Sequence, residues 1–160
     1  MVWTLRRLRR RCEAIAAELP LTNPFDVHDL CRHVAQRRGR PIHLVPITGM
    51  GEAHGLLMST DSADLIFHEV ATSWPHQEHI ILHELSHLLC GHYCEDLTAA
   101  GEIRALIPHL DAKTIRSMLA RTSYQAPEEL EAELLASVVR QRAELVGPDG
   151  INSRIRAAFD

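Results

Sequence analysis

Apolar positions recur along this chain with two different periods. Over residues 2–18, Leu5, Leu8, Cys12, Ile15 and Leu19 return at helical spacing while the arginines take the other face, which predicts a helix stopped by Pro20. A second helix is expected to begin at Asn23-Pro24 or Asp26, with a stripe of Val27, Leu30, Cys31 and Val34. Cations and a glycine, Arg37-Arg38-Gly39, close it. The period then shortens to two. Residues 41–47, 54–59 and 64–69 read as short strands, separated by Gly49-Met50-Gly51 and Thr60-Asp61-Ser62. They predict a small, mainly antiparallel, three-stranded sheet, with Asp64 to Glu69 as a candidate edge for an extended peptide. Helical spacing returns after Thr72-Ser73-Trp74-Pro75, a hydroxyl cap followed by an early proline, and runs to Gly91. Further helices are predicted over 102–110, 111–121 and 128–145, and a short one carries Ile151, Ile155 and Phe159. No repeat or long linker divides the chain, so residues 1–160 are expected to form one α+β domain.

The stretch from Ile80 to His92, I-I-L-H-E-L-S-H-L-L-C-G-H, differs from the other helical segments. Ile80, Ile81, Leu82, Leu85, Leu88 and Leu89 spread around most of its circumference, as in a buried helix. Polar residues inside such a helix need partners. His83 and His87, one turn apart, can share a metal ion, and Glu84 lies beside them, within reach of a metal-held water. H-E-x-x-H on a helix is the pattern of zinc-assisted hydrolysis, with two His ligands and a Glu general base. His79 lies one turn earlier but has no glutamate after it. Gly91 and His92 follow His87 by about four and five residues rather than the three and six of the metzincin pattern, so His92 is expected to cap the helix or bond to a neighbour.

Composition narrows the function classes. A net charge of −4 gives no global pull toward nucleic acid, so direct nucleic-acid binding is not expected. The arginines of the first helix read as a solvated face. No apolar run reaches membrane-spanning length, and the N-terminal arginines precede no apolar signal region. The four cysteines form no C-x-x-C pair, which fits a cytoplasmic chain with reduced thiols. The eleven histidines include His43, His54 and His68 in the strands, where hydrogen-bonded roles are expected, and a concentration from His76 to His92.

A catalytic zinc takes three protein ligands and leaves a position for water. Glu129, Glu131 and Glu133, early in the 128–145 helix, are the candidates for the third. Glu129 and Glu133 share a face, so one can bind metal while the other orients a ligand histidine; Glu131 points well away from Glu129. At most one is expected to ligate, with two exposed to solvent. Ala132, Leu134, Leu135, Ala136, Val138 and Val139 are the set that docks this helix. Tyr93, Tyr124 and His92 are candidate oxyanion donors.

H-E-L-S-H-L-L-C-G-H, followed by an acidic helix containing Ala132, resembles the ImmA/IrrE family of metallopeptidases, in which H-E-L-G-H-x-x-x-G-H precedes E-x-x-A-N. Ser86 stands for the family glycine, Glu133 for the asparagine and Leu135 for a phenylalanine, and the family's L-M-P is absent. The resemblance covers residues 20–140. It implies a zincin-like α+β fold and a cytoplasmic zinc endopeptidase acting on a protein, often a helix-turn-helix repressor. Aligned on Ala132, it puts His83, His87 and Glu129 on the metal and Glu84 in the role of base. The alternative is a non-catalytic zincin-like module that senses or regulates a partner.

Overall fold

The computed structural model describes residues 2–59, 62–92 and 124–146. Within them the element order is α1 (Val2–Ala17), α2 (Val27–Arg38), β1 (Ile42–Ile47), a 3-10 turn (Gly51–Ala53), β2 (Gly55–Ser59), β3 (Asp64–Glu69), α3 (Trp74–Cys90) and α4 (Ala126–Val146). This is an α+β arrangement, as the alternating periods predicted. The helices expected at 102–110, 111–121 and beyond 150 fall outside the described residues, as do Tyr93 and Cys94.

Local chemistry accounts for the helix ends. Asp26 caps α2 by accepting hydrogen bonds from the His28 and Asp29 backbone N–H groups. Ser73 occupies the N-cap of α3 but makes no side-chain cap bond, so the expected hydroxyl cap is not formed. At the other end Gly91 takes a left-handed φ of 75°. That turn lets the His92 N–H donate to the His87 carbonyl at 3.0 Å, folding the chain back under α3.

The sheet corrects the predicted pairing. Strand order is β1-β3-β2, with β1 parallel and β2 antiparallel to β3, so the sheet is mixed rather than mainly antiparallel. β3 is the central strand and therefore not an edge; every one of its residues is buried. Two of its polar side chains, Asp64 and Glu69, have the partners that burial demands, whereas His68 Nδ1 is buried without one. Asp64 accepts from Ser59 Oγ at 2.7 Å and lies 3.5 Å from both Arg38 and Arg40. Backbone N–H groups, Ala71's first and those of Met50, Gly49 and Val70 with it, hold the Glu69 carboxyl below its usual range, tying down the loop before β2.

One sheet face packs on α3. Leu57 and Ile66 meet Ile81, Leu82, Leu85 and Leu88, and the same core continues through Cys12, Ala16, Leu30 and Val34 to Leu135, Ala136 and Val139. Each large side chain buried there contributes about 1.5–3 kcal/mol. Met50, Leu56, Met58, Leu65 and Phe67 cluster on the opposite face. Helix α4 lies against both α1 and α3, which sets its acidic first turns beside the histidines of α3. Among the described residues no helix is long and apolar enough to cross a membrane.

Candidate metal centre

His83 and His87 turn their Nε2 atoms toward each other at 3.1 Å. From α4, one carboxylate oxygen of Glu129 comes 3.2 Å from His83 Nε2, and the other 3.5 Å from His87 Nε2. Metal–ligand bonds of about 2.0–2.1 Å at tetrahedral angles separate ligand atoms by about 3.3–3.4 Å. Two imidazoles and a carboxylate at this spacing can hold a divalent ion.

Their protonation also fits. Burial, with the neighbouring His83 and His92 adding to it, pushes His87 down to about 3, so its ring is neutral at ordinary pH. His83 presents Nδ1 to Glu133 Oε2 at 3.1 Å. With a metal on Nε2 the ring proton would sit on Nδ1, where Glu133 is placed to accept it. Glu133 also lies 3.3 Å from His79 Nε2. Glu129 and Glu133 thus divide the work as their shared face suggested, with one carboxylate at the ring nitrogens and one behind His83. Tyr124 stacks on the buried His87 ring at 3.6 Å between centroids.

Glu84 points into the seam between α3 and β2. Burial, and then the charge of Glu129, push its carboxyl up to about 8, while a bond from the Leu57 backbone N–H lowers it. Its Oε2 is buried and has no hydrogen-bond partner. Gly55 makes the seam possible: a Cβ there would stand 2.7 Å from Glu84 Oε1 and 2.8 Å from Ile80 Cγ2. Sequence reasoning did not single out Gly55. The available signal was a glycine opening a strand, where a close approach is a standing explanation.

Two glutamates were expected to face solvent, and Glu131 does not. It is 6 % exposed and accepts from His92 Nε2 at 2.9 Å, while Arg11 of α1 lies 3.0 Å from its other oxygen. The misreading has a plain cause. Glu131 sits opposite Glu129 on α4, and that opposite side is covered by α1. His92 in turn faces His87, Nδ1 to Nδ1, at 3.0 Å. It lies behind His87 rather than over the convergent Nε2 atoms, so it is neither an oxyanion donor nor a simple cap. Cys90 is buried close by, and Cys12 Sγ approaches the Glu131 carbonyl at 3.8 Å.

Comparison with protein-family profiles, curated proteins and solved structures finds no match to this chain. The reading of the site therefore rests on its residues, and the family resemblance on the sequence motifs alone.

Proposed function

We propose that this protein is a zinc-dependent endopeptidase of the ImmA/IrrE type, with His83, His87 and Glu129 as ligands and Glu84 as general base. One observation carries the reading. Two imidazole nitrogens and a carboxylate converge next to a buried carboxyl that has an unpartnered oxygen. A merely structural metal site has no need of that carboxyl. Zinc held by these ligands supplies a Lewis acid and a water acidified to a pKa of about 7.

The chain's own residues do the rest. Without a cation beside it Glu84 is held protonated, its carboxyl raised to about 8; a bound divalent ion would favour the carboxylate form that a general base needs. Glu84 then takes the proton of the attacking water and returns it to the leaving amine. The Leu57 N–H holds one side of the carboxyl in place. Glu133 keeps the His83 lone pair directed inward. Edge strand β2, rather than β3, offers its outer side to an extended segment of a protein substrate, and Leu57 ties that strand to Glu84. The substrate class, a helix-turn-helix repressor among others, is carried by the resemblance.

The test is metal content after purification without chelator, together with Glu84→Gln. A variant that keeps its zinc but no longer cleaves a partner repressor supports the peptidase. Zinc retained with unchanged cleavage removes Glu84 from the chemistry. A metal-bound wild type that cleaves nothing but binds the partner favours the sensor module.

A further inference from the structure

For His87 to offer Nε2 to a metal, its Nδ1 must carry the ring proton, and an acceptor must hold it there. That acceptor is an imidazole rather than a carboxylate. His92 Nδ1 lies 3.0 Å from His87 Nδ1, His92 Nε2 lies 2.9 Å from Glu131, and Arg11 of α1 lies 3.0 Å from that carboxylate's other oxygen. The protons in this chain follow from that requirement at His87. A carboxylate only accepts, so His92 Nε2 carries the hydrogen. With His87 donating from Nδ1, as metal binding at its Nε2 requires, His92 Nδ1 is the acceptor. His87 is left with its lone pair on Nε2, facing His83.

We propose that Glu131 and His92 are positioning residues, anchored by Arg11, that lock His87 in its metal-binding tautomer and make α1 part of the metal centre. The proposal rests on the metal reading above. It gives work to three residues which that reading leaves idle. Burial and backbone geometry suit both residues to this role. His92 and Glu131 are 7 % and 6 % exposed, and the left-handed turn at Gly91 swings His92 under His87. Besides its ion pair with Glu131, Arg11 donates from Nη2 to the Cys90 carbonyl at 3.2 Å, which holds α1 to the last turn of α3.

The competing use of this cluster is a second metal site, since Cys90, His92 and Glu131 place donor atoms within 4.8 Å of one another. Three features argue against it. The His92–Glu131 separation of 2.9 Å is a hydrogen-bond length. Arg11 already balances the carboxylate. A cation on His92 Nε2 would move the ring proton to Nδ1, make His87 the acceptor there, and put a proton on the Nε2 that the first site needs.

The test compares His92→Asn with His92→Leu in the full-length protein. The two replacements have nearly the same size and shape, but only asparagine can accept from His87 Nδ1. Zinc affinity is measured by chelator competition, and Co(II) absorption reports the ligand field. The expected result for His92→Leu is zinc binding weakened about 10–100-fold, with His92→Asn recovering much of it. Glu131→Met, of similar length but without a carboxylate or amide acceptor for the His92 proton, weakens zinc in the same direction and serves if neither His92 variant folds. Cys90→Ser leaves the affinity unchanged. Equal affinity in the Asn and Leu variants, or wild-type affinity in Glu131→Met, overturns the relay while the metal reading stands. Two zinc ions per chain, one lost in Cys90→Ser, replaces the relay with a second site. A wild type that binds no zinc ends both readings.

Discussion

Glu84→Gln should stabilise the metal-free protein as pH rises, because the wild-type carboxyl is held in a place that opposes its ionisation. Its pKa is raised from the ordinary 4.5 to about 8, by burial first and Glu129 second. The sign follows from proton binding. Between pH 4.5 and 8 the folded chain keeps a proton that the unfolded chain has released. Stability therefore falls as pH climbs through that window and levels off above it. Each pH unit inside the window costs about 1.4 kcal/mol. At pH 7 the accumulated cost is about 3 kcal/mol, a large share of a typical folding free energy. Glutamine cannot ionise and escapes this cost. Its carbonyl can keep the Leu57 N–H bond, but an N–H group then occupies the unpartnered position of Oε2, a pH-independent cost of about 1–3 kcal/mol. The slope of the difference between the two proteins is therefore the informative quantity. Urea unfolding with chelator at a series of pH values from about 5 to 7.5 measures it. Wild type should lose about 1.4 kcal/mol per pH unit relative to the variant. Parallel stability curves would refute the burial argument, and with it the reading of Glu84 as a carboxyl held protonated without a cation beside it.

Gly55→Ala should displace Glu84, since the added Cβ meets its Oε1 at 2.7 Å. The expected outcome in urea titrations is a loss of about 1–3 kcal/mol from overpacking, together with a flatter pH slope than wild type. Glu129→Gln should weaken zinc more than Glu133→Gln, because one loses a ligand and the other a partner of His83; about 10–100-fold is expected for the second, by chelator competition. Leu85→Ala, at a position with no exposure in the main core, should cost about 2–5 kcal/mol in denaturant unfolding.

The described elements of this protein were legible because each depends on its own residues. The stripe in α2 with its Asp26 cap, the glycine after α3 and the apolar runs of the strands are local signals, and the helices and strands formed where those signals lay. The pair His83–His87 was legible for the same reason: four residues on a helix fix which side chains share a face. The alternation of the strands could not supply their order. It states which face of each strand is buried, not which strand lies beside which, so β3 entered the centre of a mixed sheet unannounced. The three glutamates of α4 show the same limit. Their relative directions followed from helix geometry, but what stood in each direction depended on the packing of α3 on one side and α1 on the other. Only that packing brought Glu129 to the ring nitrogens and Glu133 behind His83, and buried Glu131 between His92 and Arg11, a residue 120 positions earlier in the chain.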